Sequence, residues 1–186
     1  MRGGPCGLPF LWLLYNENMV IGWIILGVVF VFALTALTGA PFVPSFNKDL
    51  REIFVKLYPL SERDFLVDLG SGDGKVLKVA NSFGARALGV EINPFLYVFS
   101  KIRFIGNRDV KVRFGDLFHM KYPEETTVFY AFGDSRDIER IAKVVQKQAN
   151  RSGHAVYMIS HAFDLASKKP AKKHGAYLLY KFEEEK

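Results

Sequence analysis

Residues Leu66-Val67-Asp68-Leu69-Gly70-Ser71-Gly72-Asp73-Gly74-Lys75 set three glycines at alternate positions among acids. Without a Cβ, glycine turns the chain sharply and lets a ligand approach the backbone. The apolar run ahead of Gly70 reads as a strand and Val76 to Ala80 as a helix. The turn therefore sits at a strand end, where open α/β sheets bind ligands. A dinucleotide fingerprint is excluded because its sixth position, normally glycine for close packing, is Lys75. A P-loop is excluded because Gly74-Lys75 is followed by Val76, which has no hydroxyl for magnesium. Asp68 and Asp73 would repel a diphosphate but can meet an ammonium group, so the turn suits a ligand with a cationic end.

The second motif is Ala87-Leu88-Gly89-Val90-Glu91-Ile92-Asn93-Pro94. Glu91 follows the glycine turn by about 20 residues, the spacing at which a carboxylate on the next strand end accepts bonds from ribose hydroxyls. Asn93 suits an N-cap and Pro94 a first helical position, so a helix should begin directly after the acid. A third strand, Val110-Lys111-Val112-Arg113-Phe114, runs into Gly115-Asp116.

The glycine turn resembles motif I of the class I S-adenosylmethionine-dependent methyltransferases. That resemblance implies S-adenosyl-L-methionine as cofactor. It implies contacts from Asp68, Gly70, Ser71, Gly72, Asp73 and Gly74, from Glu91, Ile92 and Asn93, and from Asp116 and Leu117, with Asp116 facing the adenine amino group.

Strands and helices must hold these residues in place. Leu50, Ile53, Phe54 and Leu57 repeat at helical spacing and predict an amphipathic helix stopping at Pro59. Thr127 to Phe132 reads as a buried strand. Asp134 or Ser135 then caps a helix with Ile138, Ile141, Val144 and Val145 on one face and Arg140, Lys143 and Lys147 outward. Further strands are expected at Ala155 to Ser160 and Ala176 to Phe182. The fold class is α/β: a Rossmann-like sheet of six or seven strands, mostly parallel, with helices on both faces and the last strand antiparallel as in the family.

Ahead of this domain lies an apolar segment. From Met19 to Thr38 no residue is charged, and about 20 helical residues can cross a hydrocarbon core of about 30 Å. The expected organisation is an interfacial segment over residues 1–18 with Trp12 and Tyr15 as anchors, a transmembrane helix over 19–38, a linker over 39–46 and a methyltransferase domain over 47–186. A cleaved signal peptide with its site at Thr38-Gly39-Ala40 is the competing reading. Lys48, Arg51 and Lys56 follow the span whereas Arg2 alone precedes it, so the domain should face the cytoplasm. The expected contact is a lipid bilayer through residues 19–38.

The formal charge of +6 resides in the soluble domain and suits anionic lipid, nucleic acid or an acidic protein. No RNA-reading motif is present, so nucleic acid is not the expected partner. Lys168 to Lys173 reads as a solvated loop. Cys6 is the only cysteine and the four histidines are scattered, so no metal is expected. Phe95, Tyr97, Phe99 and Phe104 read as helix residues facing the sheet.

One apolar span, Pro41-Phe42-Val43-Pro44, the Asp68 to Gly74 turn and Glu91-Ile92-Asn93-Pro94 together resemble a smaller group. These are the membrane-anchored protein lysine methyltransferases that act on the c-ring protein of ATP synthase and on the adenine nucleotide translocase, with their prokaryotic relatives. The resemblance covers the span to Asp116 well and the remainder loosely. It implies methylation of lysine in a protein in or near the membrane. Alternatives are a lipid or apolar small-molecule methyltransferase, and a non-catalytic cofactor-binding module or assembly factor. Phe132-Gly133-Asp134-Ser135 lacks the Asn/Asp-Pro-Pro-Tyr motif of methyltransferases acting on Asn, Gln or nucleobases. Strand-end topology makes Tyr130, Phe132, Asp134 and His161 the substrate-side candidates.

Overall fold

The structure, a computed structural model, describes residues 17–37, 47–133 and 137–185. The chain divides into two compact units, Met1–Pro41 and Phe42–Lys186. In the first unit, helix α1 spans Glu17–Leu37, 21 residues. Among the described residues no helix is long and apolar enough to cross a membrane. The expected crossing at 19–38 falls on α1, except that Thr38 lies outside the described residues. The expected interfacial segment, its anchors Trp12 and Tyr15, the linker and the Thr38-Gly39-Ala40 site also lie outside them.

The second unit begins with α2 (Asn47–Lys56), followed by β1 (Phe65–Leu69), α3 (Lys75–Asn81), β2 (Arg86–Glu91), α4 (Pro94–Arg103) and β3 (Val110–Phe114). It continues through β4 (Val128–Ala131), α5 (Ile138–Ser152), β5 (Val156–His161), β6 (Lys172–His174) and β7 (Tyr177–Phe182). The seven strands are ordered β3-β2-β1-β4-β5-β7-β6. The pairings from β3 through β5 are parallel, and β7 runs antiparallel to both neighbours. This is the Rossmann-like sheet expected, and its antiparallel strand is the last.

Alternate residues of each strand feed opposite faces, as a period of two requires. Leu66, Ala87, Val110, Val112, Val128 and Ile159 pack against α2 and α3. Val67, Leu88, Val90, Phe129, Met158 and Tyr180 pack against Ile138, Ile141, Val145 and Ala149 of α5. The apolar positions predicted for this helix are all buried: Leu50, Ile53 and Phe54 within α2 and Leu57 just past its end.

Three local expectations change. Lys172–His174 is strand β6, not loop, because β7 offers it a free edge and an edge strand tolerates exposed lysines. The chain reaches it from β5 through residues 162–171 without a helix. Phe95 and Phe99 are exposed on α4, whereas Tyr97 and Phe104 pack on the core. The cause is position: α4 covers β2 and β3, and β3 is the sheet edge, so one side of the helix has nothing beyond it to pack on. Helix α5 starts at Ile138 with Asp137 at its N-cap, and Asp134 and Ser135 lie outside the described residues.

Candidate functional site

The glycine turn begins by folding back across β2. The N–H groups of Gly70 and Ser71 both donate to Val90 O, at 2.9 and 3.0 Å. Gly74 N–H then closes the turn on Ser71 O at 2.8 Å. Gly70, Gly72 and Gly74 have φ of 85°, 53° and 79°, the left-handed region where a side chain is strained. Gly74 is also a packing residue, since a Cβ there would lie 2.6 Å from Phe104 Cε2 and Ser100 Oγ.

Beneath the turn lies a residue that sequence reasoning passed over. A Cβ on Gly89 would stand 2.5 Å from Ser71 Oγ and 2.7 Å from Leu77 Cδ1. The turn and α3 can settle on β2 only because that position is bare. Its signal was available, since a glycine inside a strand marks close approach by other backbone.

Glu91 is tied into the same construction. Its Oε2 accepts Gly72 N–H at 2.7 Å and its Oε1 accepts Asn93 N–H at 2.7 Å. One buried carboxylate thus joins the turn after β1 to the segment after β2. Asn93 Oδ1 accepts from Phe95 and Leu96 N–H at 3.0 and 3.3 Å, so its side chain serves as the expected cap of α4. Ile92 between them is half exposed, an apolar surface beside the carboxylate.

The two acids of the turn differ. Asp68 is 2 % exposed. Burial first, and then the charges of Glu91 and Asp73, push its carboxyl well above the usual range. Asp73 faces cations instead: Arg103 Nη1 of α4 lies 3.3 Å from Oδ2 and Lys75 Nζ 3.9 Å. Asp73 thus already has charged neighbours, which Asp68 lacks among these contacts. Arg103 is a second residue that motif and spacing alone do not single out.

At the end of β3, Gly115 N–H donates to Glu91 O at 3.0 Å and brings Asp116 and Leu117 to the same edge. Asp116 Oδ1 accepts Phe118 N–H at 2.9 Å and Oδ2 lies 2.7 Å from His119 Nδ1. The Phe118 amide first, and His119 with it, hold this carboxyl below the ordinary value.

The substrate-side candidates separate. Tyr130 is 2 % exposed and belongs to the core. Phe132 and His161 meet at the ends of β4 and β5 with ring centroids 5.0 Å apart. His161 also stacks on Tyr177 at 4.3 Å and 14°. Its Nδ1 is buried without a hydrogen-bond partner, and burial depresses its pKa. Asp134 lies outside the described residues.

The residues present fit a ligand with hydroxyls and a cationic amino-acid end. Gly70 has open space where a Cβ would stand, and Ser71 Oγ is buried with no partner. Asp68 and Glu91 supply acceptors at the neighbouring strand ends. Among the described residues no cluster of His, Cys, Asp and Glu could hold a metal.

Sheet order, glycine turn and acidic strand end together define a domain of the class I methyltransferase type. An RNA methyltransferase from Salinibacter ruber, solved with S-adenosyl-L-homocysteine, superposes with a TM-score of 0.66 at 26 % identity over 75 % of this chain and 92 % of that one. The 23S rRNA methyltransferase ErmE shares the fold at 15 % identity and a TM-score of 0.53, over 63 % of this chain and 47 % of that one. More particularly, the chain is similar to the lysine N-methyltransferases of the ATP synthase C-subunit from Homo sapiens, at 40 % identity over 63 residues, and from Xenopus laevis, at 35 %. Those matches take in 34 % of this chain and 26 % and 27 % of the two relatives, so the likeness spans about a quarter of their length. No family model matches the chain.

Proposed function

We propose that this protein is an S-adenosylmethionine-dependent methyltransferase, held at a membrane by α1, that methylates lysine in a membrane or membrane-associated protein. The observation that carries the cofactor reading is the Glu91 carboxylate bridging the glycine turn to the segment after β2. The lysine reading is supported by the likeness to the ATP synthase lysine methyltransferases. Anchoring is supported by the sequence alone: from Met19 to Thr38 no residue is charged, and a helical run of about 20 such residues matches a hydrocarbon core of about 30 Å.

Glu91 retains lone pairs beyond its two backbone bonds and offers them to ribose hydroxyls. Asp68 and the backbone of Gly70 to Gly74 would hold the amino-acid end, Ile92 and Leu117 would offer apolar surface to the base, and Asp116 would serve its amino group. When bound, S-adenosylmethionine supplies an electrophilic methyl group on a sulfonium. The remaining task of the chain is to position a nucleophile and exclude water. A lysine must be neutral to react, and an apolar slot favours the neutral form by desolvation. Phe132, His161 and Tyr177 form such an apolar wall at the ends of β4, β5 and β7. Burial keeps His161 itself neutral near pH 7, so the wall adds no cation to oppose an incoming ammonium.

One observation favours a second reading, an RNA acceptor: the Salinibacter ruber RNA methyltransferase matches over most of its own length. Against it, Phe132-Gly133-Asp134-Ser135 lacks the motif that binds a nucleobase amine. Tritium transfer from methyl-labelled cofactor into membrane protein, lipid extract or RNA decides. Label in protein lysine supports the proposal. Label in RNA or lipid replaces the acceptor, and no transfer despite cofactor binding leaves a binding module.

A further inference from the structure

Helix α4 carries an apolar stripe on the side away from the sheet. Phe95, Val98, Phe99 and Ile102 recur at the three- and four-residue spacing of one helix face, and Ile105 extends the row past the helix end. Ile102 is 61 % and Ile105 79 % exposed. Phe114 of the edge strand adds to the patch, in ring contact with Tyr97 at 5.6 Å. Single exposed apolar residues are ordinary, but a contiguous row on one helix marks an interaction surface.

Charge decides the occupant. Between residues 94 and 114 the chain has five cations, Lys101, Arg103, Arg108, Lys111 and Arg113, and one acid, Asp109. All five residues are exposed, Arg103 with its guanidinium turned to Asp73, and Lys101 and Lys111 border the cleft beside α4. A second copy meeting this face would bring the same cations against them. An anionic bilayer suits both parts, since apolar side chains enter the acyl boundary while lysine and arginine reach the head groups. A cleft of about 340 Å³ beside α4 has Lys101 and Lys111 among the residues around Phe104, Ile105, Val110 and Val112. Its cationic and apolar lining repeats that chemistry.

We infer that the exposed face of α4, with the β3 edge beside it, docks on an anionic lipid surface. Arg103 connects this face to the glycine turn: its guanidinium lies 5.0 Å over the Phe99 ring and 3.3 Å from Asp73. The inference does not depend on α1 or on the methyl acceptor.

The test uses the full chain with Cys6→Ser and a polarity-sensitive fluorophore on either Ile102→Cys or Lys147→Cys, the latter on the outward side of α5. Each protein is added to vesicles of phosphatidylcholine, with or without phosphatidylglycerol, that carry nitroxide-labelled lipid. Docking predicts quenching at position 102 only with phosphatidylglycerol, none at 147, and relief by high salt. Lys101→Glu with Lys111→Glu should weaken partitioning onto the vesicles, read from a quenching titration against lipid, by about 30-fold or more, taking about 1 kcal/mol for each cation lost. Quenching equal at both positions, none at 102, or dependence unchanged by lipid charge overturns the inference. So does burial of the 102 label that grows with protein concentration without lipid, which would mark a second copy as occupant. Cofactor affinity measured on the same samples reports on the methyltransferase reading separately.

Discussion

Glu91 Oε2 accepts the backbone N–H of Gly72 at 2.7 Å, across 19 positions of sequence. The carboxylate that the spacing assigns to ribose also holds the glycine turn, the proposed seat for the rest of the ligand. Its loss should therefore act twice. Glu91→Ala is expected to weaken S-adenosylmethionine binding by about 1–3 kcal/mol and to lower stability, because two buried amides lose a charged acceptor. Glu91→Gln, which keeps one oxygen, should fall between. Calorimetric titration and denaturant midpoints measure both effects, and an Ala variant with unchanged affinity would remove Glu91 from the site.

Gly89 tests whether the turn must lie flat on β2. Gly89→Ala places a methyl 2.5–2.7 Å from Ser71 and Leu77, and such overpacking costs about 1–3 kcal/mol. Adding Ser71→Gly removes the nearer obstacle and should restore part of the loss. A double-mutant cycle in urea reads the coupling. Simple additivity would show that the two residues do not press on each other.

Asp68 is buried beside two other carboxylates, and its folded-state pKa is raised. A raised pKa contributes stability that is complete below the unfolded value, about 3.9, and lost as pH rises through the folded value. Above the unfolded value that contribution is progressively lost, so at neutral pH Asp68→Asn should raise Tm, by about 2–4 °C for each kcal/mol relieved. It should also weaken cofactor binding, because one acceptor oxygen and the capacity for negative charge opposite an ammonium group are lost. Scanning calorimetry together with titration would contradict this reading if the variant were both less stable and fully able to bind.

His161 runs the other way. Burial lowers its pKa, with Asp49 opposing, so its contribution is present above the ordinary value of about 6.5 and fades as pH falls through the folded value. The native protein should lose Tm between about pH 7 and pH 5 more steeply than His161→Gln does. Parallel slopes would mean that the imidazole does not titrate in this window.

Removing residues 1–38 should leave cofactor affinity nearly unchanged and strongly reduce methylation of membrane-bound acceptor, because tethering supplies effective concentration and not chemistry. Equal turnover on native membranes by the full and shortened chains would refute a role for α1.

Much was legible from local chemistry. Glycines at alternate positions after an apolar strand announce a tight turn. Asn93-Pro94 announces a helix start that the structure caps through Asn93 Oδ1. Leu50, Ile53, Phe54 and Leu57 announce a buried helix face. Each signal is carried by a few neighbouring residues whose conformational preferences do not depend on distant partners. A sheet of six or seven strands with an antiparallel last member followed from the same alternation together with the family likeness.

Other features depend on residues that meet only in space. Gly89 is bare because Ser71 and Leu77 arrive above it. Asp73 differs from Asp68 because Arg103, 30 positions away, comes to one and not the other. Strand β6 exists because β7 leaves an edge to pair with, where its own lysines read as loop. Phe95 and Phe99 face outward because their helix sits at the border of the sheet, which periodicity cannot reveal: a stripe at helical spacing states that one face is apolar. Whether another element covers that face is decided by strand order alone.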